Sequence, residues 1–159
     1  MKYQMDLPSK EGSNDRAGTR TPMQWKNNQT AGFSSCTPDQ LYFPVDTENG
    51  ILTVEAQEND PNSMLNFVRQ LTALRHGSKA LGNDGDWQLL SDVSRPYPMI
   101  YQRSFGSETY IIALNPSGQK VSATLSIGPA QPVMLSGKAS LNKDKISLHA
   151  FTAAIYKTK

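Results

Sequence analysis

Apolar residues fall into three different patterns along this chain. Over residues 1–59 they stand isolated among Gly, Ser, Asn, Asp, Thr and Pro and follow neither a helical nor an alternating period. Hydrophobic periodicity is the main signal for regular structure. This stretch therefore predicts a mostly irregular arm, with one short strand at 52–55. A structureless segment of that length is unusual inside a compact domain, and it suits a loop shaped to lie against a neighbouring structure.

The second pattern is helical. Met64, Leu65, Val68, Leu71 and Arg75 follow helical spacing, and Phe67 and Leu74 widen the apolar stripe. The spacing predicts one helix over 61–76. Asp60 is placed to cap it, Pro61 suits its first position, and Gly77 suits its end.

From Asp86 the pattern changes to short alternating runs, which predict strands at 87–90, 99–105, 110–115, 120–127, 132–135, 145–148 and 153–157. The clearest alternation sets Val121, Ala123, Leu125 and Ile127 against Ser122, Thr124 and Ser126. Turn residues punctuate the runs at 105–107, 115–118, 128–129 and 136–137. Seven short antiparallel strands predict a two-sheet sandwich with Greek-key-like connections. The fold class is thus mainly β: an irregular arm at 1–59, one α-helix at 60–77 and a carboxy-terminal antiparallel β-sandwich at 78–159. No internal repeat is visible.

Composition narrows the function classes. A chain of 159 residues suits one domain, or one domain with an arm. It is shorter than a (β/α)8 barrel, which takes roughly 200 residues or more. The 16 basic and 14 acidic residues nearly balance, and no Lys/Arg run occurs, so no nucleic-acid partner is expected. No stretch is apolar enough to span a bilayer, so no membrane partner is expected. Residues 1–12 lack the apolar core of a signal peptide. Cys36 is the single cysteine, which excludes an internal disulfide and reads as an incidental loop thiol. His76 and His149 lack metal-ligand spacing, so neither a metal nor another cofactor is expected.

Candidate chemistry concentrates in the arm. Arg16-Ala17-Gly18-Thr19-Arg20-Thr21-Pro22-Met23-Gln24-Trp25 is followed by Ala31-Gly32-Phe33-Ser34. Gly18 and Pro22 break a helix, and the run does not alternate, so it reads as a structured loop. It resembles the substrate-facing loop of the α-amylase family of glycoside hydrolases (family thirteen). Within that family it is most similar to α-glucosidases, oligo-1,6-glucosidases and trehalose synthases, which carry R-x-x-x-R-T-P-M-Q-W and then A-G-F-S or A-G-F-T. Ile51-Leu52-Thr53-Val54-Glu55-Ala56-Gln57, Asp60-Pro61-Asn62-Ser63 with Leu71 and Leu74-Arg75, and Tyr110-Ile111-Ile112-Ala113-Leu114-Asn115 resemble later family stretches in the same order.

The resemblance implies the last loop and last helix of a catalytic barrel, followed by the family's carboxy-terminal β-domain. The rest of the barrel, with the nucleophile, the acid/base and the third essential carboxylate, has no counterpart in these residues. No catalytic residue is therefore assigned, and the chain is expected to be inactive alone. Arg16 aligns with the family arginine that helps hold the non-reducing sugar ring. A guanidinium can fork onto a hydroxyl and a carboxylate together. Arg20, Gln24, Trp25 and Phe33 are candidates for bracing the loop or touching sugar, with Phe33 read mainly as a packing anchor. The implied partners are an α-glucosidic oligosaccharide and the remaining barrel. Lys26 stands where many α-glucosidases have Asp, which leaves linkage preference open.

Other readings also follow from the residues. Glu55, Glu58, Asp84 and Asp86 could be paired as catalytic carboxylates, but their places in or near turns read as solvated charges. Trp87, Tyr97, Tyr101, Phe105 and Tyr110 could form a sugar-stacking platform, which would make the sandwich a carbohydrate-binding module. In a purely structural reading, the sandwich buries the apolar face of the helix. Apolar surface left without the barrel, on the helix and at Phe33, Tyr42, Phe43 and Val45, then predicts self-association.

Overall fold

The computed structural model describes residues 22–41, 45 and 52–158. Their elements are a 3₁₀ turn (Pro38–Gln40), helices α1 (Val54–Asn59) and α2 (Met64–His76), and strands β1 (Asp86–Leu89), β2 (Met99–Phe105), β3 (Glu108–Asn115), β4 (Val121–Thr124), β5 (Ala130–Ser136), β6 (Ala139–Asn142), β7 (Lys145–Leu148) and β8 (Thr152–Thr158). The chain divides into two compact units between Arg69 and Gln70.

In the first unit the strand expected at 52–55 is instead the start of α1. Thr53 is extended, and its Oγ1 accepts from Ala56 N at 3.2 Å. That N-cap converts the following Val-Glu-Ala-Gln-Glu-Asn run into a helix, with Glu55 favourably placed in its positive first turn. Two α-helices therefore precede the sheets, where the sequence pattern predicts one.

The start of α2 also differs. Asp60 Oδ1 accepts from Asn62 N at 2.9 Å, and Asp60 O accepts from Ser63 N at 3.0 Å. Asp60 and Pro61 thus make a turn ahead of the helix. Ser63 takes the capping role, its Oγ accepting from Asn66 N at 3.2 Å. The corner between the helices is closed by the Asn66 amide, which donates to the carbonyls of Gln57, Glu58 and Asp60 at 2.8–3.3 Å. Gln57 O also accepts from Ser63 Oγ at 2.6 Å, so Asn66 and Ser63 together tie the end of α1 to the start of α2.

In the second unit all strand pairs are antiparallel. A five-stranded sheet runs β1-β2-β3-β8-β5, and a three-stranded sheet runs β4-β7-β6. The chain passes repeatedly from one sheet to the other, giving the Greek-key-like sandwich expected. No (β/α)8 barrel is present among the described residues. Ile100, Ile111, Ala113, Ala154 and Tyr156 meet Leu125, Ile146 and Leu148 between the sheets. The outer face of the larger sheet is covered too. Tyr110 and Ile112 form a second cluster with Ala80, backed by Leu74, Leu81, Tyr101, Leu114 and Ile155. Tyr110 to Ala113 are consequently all buried, as expected for a strand covered on both faces.

Strands β2 and β7 have the predicted bounds. β4 stops at Thr124, short of the predicted 127, because the chain turns away just after Leu125. Leu125 N donates to Asp144 O, and Ile127 N donates back to Leu125 O. β6 was not predicted. It has only four residues, Ala-Ser-Leu-Asn, and enters β7 through Lys143, which adopts φ +52° without the glycine that usually marks such a turn. At the turn between β2 and β3 a glycine does mark the site, Gly106 at φ +58°.

Candidate functional site

The described part of the motif loop is a compact turn built on Asn28. Its Oδ1 accepts from Gly32 N at 2.7 Å and Thr30 N at 3.2 Å, and its carbonyl accepts from Ala31 N at 2.9 Å. Ala31 O returns to the other arm, accepting from Trp25 N at 2.7 Å and Lys26 N at 3.0 Å. Ala31 and Gly32 reach this geometry at φ +50° and +68°. Gly32 is required there: a Cβ would lie 3.0 Å from the Lys26 side chain in a backbone region that side chains disfavour. Thr30 Oγ1 donates to Ser34 O at 2.8 Å and closes the turn.

Helix α1 holds this loop by its amino terminus. Val54 N donates to Gln24 O and Glu55 N to Trp25 O, both at 3.0 Å. The N–H groups that a helix start leaves free are thereby satisfied by the backbone of the Met-Gln-Trp segment. Lys26 Nζ adds a long, solvent-exposed ion pair to Glu55 at 4.0 Å, worth little by itself.

The candidate residues fall as follows. Gln24 is half-buried and holds α1 through its carbonyl. Trp25 does the same but leaves its side chain 47% exposed, so the indole N–H needs no protein partner. Phe33 is 53% exposed and is not the packing anchor expected. Val45, expected to expose apolar surface, is instead buried. Arg16 and Arg20 lie outside the described residues, as do Tyr42 and Phe43. Pattern reading missed Asn28, Thr30 and Thr53, which hold the loop. The turn-forming Asn28 and the Thr53-x-x-Ala56 cap spacing were the available signals.

The four acidic candidates do not form a catalytic pair. Glu55 faces Lys26, and Glu58 pairs with Arg69 at 2.8 Å. Asp84 is the single carboxylate lining an open cleft beside Arg75, His76 and Lys79, and Asp86 begins β1. Among the described residues no group of three or more His, Cys, Asp or Glu side chains converges. Cys36 receives the Ser34 hydroxyl at 3.1 Å. None of the helices among the described residues is long and apolar enough to cross a membrane.

The aromatic candidates separate. Tyr110 is buried in the second cluster, and its hydroxyl donates to Glu108 at 3.1 Å. Trp87 is 54% exposed at the sheet edge, 6.1 Å from the Tyr101 ring at a tilt of 33°. Phe105 lies under the Lys79 ammonium, 5.4 Å from the ring centre. Glu108 is the most perturbed acid described. The Lys157 ammonium at 2.8 Å and the Ser78 hydroxyl at 2.7 Å hold its carboxyl down at about 2. Glu108 in turn raises Lys157.

Comparison with known proteins covers most of the chain. The family model for the α-amylase catalytic domain matches residues 2–84, more than half of the sequence, and stops just before β1. An α-glucosidase of Candida albicans is 31% identical over 132 residues, covering 83% of this chain and 23% of that protein. A glucan 1,6-α-glucosidase of Streptococcus dysgalactiae subsp. equisimilis is 34% identical over 105 residues, 66% of this chain and 19% of that one. Among solved structures, a mutant isomaltulose synthase from Erwinia rhapontici NX5, in complex with D-glucose, superposes with a TM-score of 0.73 at 28% identity. The match covers 90% of this chain and 26% of that one. The chain thus spans about a quarter or less of the length of these relatives. With a family match over more than half its residues and a relative 31% identical over 83% of its length, the chain belongs to the α-amylase family of glycoside hydrolases.

Proposed function

We propose that this chain supplies the last substrate-facing loop, the last helix and the β-domain of a retaining α-glucosidase-type enzyme that acts on α-glucosidic oligosaccharides. The corresponding parts are the arm at 1–59, the helix at 60–77 and the sandwich at 78–159. The observation that carries the reading is the Gln24-Trp25 backbone, pinned to α1 while the Met23, Trp25 and Phe33 side chains stay exposed. A loop held by its main chain with its side chains free is suited to face a ligand. In this reading Arg16 holds the non-reducing sugar, while Arg20, Gln24 and Trp25 brace the loop or touch the sugar. Retention proceeds through a covalent glycosyl-enzyme, as in the family that the sequence resembles. That chemistry needs two carboxylates set across the scissile bond. They come from the rest of the barrel, so the chain is inactive alone.

The test is a chimera in which this chain replaces the matching part of the Candida albicans α-glucosidase. Hydrolysis of an aryl α-glucoside by the chimera, lost on Arg16→Ala, supports the reading. A folded chimera without activity, or one indifferent to Arg16→Ala, overturns it.

A second reading has its own observation. The exposed Trp87 beside Tyr101 is the kind of aromatic surface on which a sugar stacks, which favours a non-catalytic carbohydrate-binding module. Titration with maltooligosaccharides decides it: no binding, or binding unchanged by Trp87→Ala, removes this reading.

A further inference from the structure

Residues 78–85 join the end of α2 to β1, and the sandwich grips them at two points. Arg103, in the middle of β2, donates from Nε to Ala80 O at 3.2 Å and from Nη2 to the carbonyls of Gly82 and Gly85. Glu108, at the start of β3, accepts from Ser78 Oγ at 2.7 Å while Lys157 of β8 holds its other oxygen at 2.8 Å. The segment also folds tightly on itself. Leu81 N donates to Ser78 Oγ, and Gly82 N to the carbonyls of Ser78 and Lys79. Gly85 lies so close to Ala80 that a Cβ would sit 2.0 Å from its carbonyl oxygen. Ala80 is fully buried against Tyr110 and Ile112, with Leu74 of α2 packed on the same cluster. A plain linker would show none of this: it would be solvated and held only through its ends.

We infer that residues 78–85 form a clasp through which the β-domain fixes the carboxy-terminal end of α2, with Arg103 and Glu108 as its positioning residues. The family's catalytic-domain match ends at residue 84, inside the clasp, whereas Arg103, Glu108, Tyr110 and Lys157 all lie beyond it. The sandwich therefore contributes the charged groups, and the catalytic-domain side contributes mainly backbone carbonyls and one hydroxyl. Calling α2 the last helix of a catalytic domain rests on the function proposed above; the clasp itself does not.

The chemistry selects these residue types. A guanidinium carries five N–H donors in a fixed fork and can serve three carbonyls at once, whereas an ammonium is a single charged point. The carbonyls of a tight turn have no ladder partners, so losing their donor leaves them unsatisfied. The clasp is thus the local unit whose opening would free the end of α2 without opening the sandwich core.

The test is amide hydrogen exchange on the full chain, comparing wild type with Arg103→Met, Arg103→Lys and Glu108→Gln. Both Arg103 variants are expected to exchange about tenfold faster at residues 79–85 and at the last turn of α2. Ile111, Ala113, Ala154 and Tyr156 should keep their wild-type rates. Recovery of wild-type protection by Arg103→Lys, or an equal acceleration everywhere, overturns the proposal, since either means that Arg103 supplies only charge or general stability. Glu108→Gln decides the matter if the Arg103 variants do not fold: exchange must then rise selectively at residues 78–81, and an unchanged pattern overturns the clasp. No enzymatic activity enters these measurements, so their failure leaves the α-glucosidase reading standing, and an inactive chimera leaves the clasp standing.

Discussion

Removing the Thr53 hydroxyl tests whether α1 and the motif loop form one piece. Three N–H groups at the start of α1 have no partner within the helix, those of Val54, Glu55 and Ala56. Gln24 O and Trp25 O take the first two at 3.0 Å, and Thr53 Oγ1 takes the third at 3.2 Å. Thr53 is 6% exposed, so water does not readily replace its oxygen. Loss of an N-cap costs about 1 kcal/mol, and the other two bonds survive because they use the loop's main chain. Thr53→Ala is therefore expected to lower the stability of α1 and the loop together by about 1 kcal/mol. Urea denaturation in a Trp87→Phe background reads this through Trp25, since the chain has two tryptophans. Thr53→Ser should recover most of the loss. Thr53→Val, which keeps the shape but not the acceptor, should behave like Thr53→Ala. An unchanged midpoint for Thr53→Ala, or equal stability of the Val and Ser variants, would refute the reasoning.

Other outcomes follow from the same geometry. Gly85→Ala forces a Cβ to 2.0 Å from the Ala80 carbonyl and should cost about 3 kcal/mol in chemical denaturation, whereas Gly106→Asn, with open space around it and φ +58°, should change stability by less than about 0.5 kcal/mol. Asn115→Ala removes a buried amide that donates to Gln119 O and His149 O and accepts from Ser117; a loss of about 3 kcal/mol is expected. Because the folded pKa of Glu108 lies at about 2, below its ordinary value of 4.5, its stabilisation is complete above pH 4.5 and disappears as pH falls towards 2. The Tm gap between wild type and Glu108→Gln should close over that range, and a gap constant with pH would contradict the ion-pair account. The apolar stripe of α2 is open at Met64, Val68 and Leu71, so the isolated chain is expected to dimerise in light scattering; a monomer at high concentration counts against it.

The sandwich was legible because its strands alternate or form short apolar runs between turn residues. β2 and β7 carry their own signals at both ends. β6 does not, since Ala139-Ser140-Leu141-Asn142 is only four residues long and its turn depends on Lys143 in a left-handed conformation. α1 was misread because Leu52-Thr53-Val54 looks β-like locally, while the deciding contact is Thr53 reaching Ala56. The loop's identity was legible from its residue types. Its brace was less so: Asn28 holds the turn through its side-chain oxygen, but the amino terminus of α1 meets the loop through backbone atoms, which side-chain patterns do not report. The two-sided burial of β3 has a visible trace in its continuous Tyr-Ile-Ile-Ala-Leu run, although the covering segment around Ala80 does not.

On the function proposed above, this chain completes a sugar site whose catalytic carboxylates lie elsewhere in the enzyme. The most direct measurement is aryl α-glucoside hydrolysis by the purified chain, alone and mixed with a separately produced barrel portion from a relative. The account predicts no turnover by the chain alone, turnover in the mixture, and loss of that turnover with Arg16→Ala. Hydrolysis by the chain alone, or none in a mixture whose two parts are both folded, would contradict it.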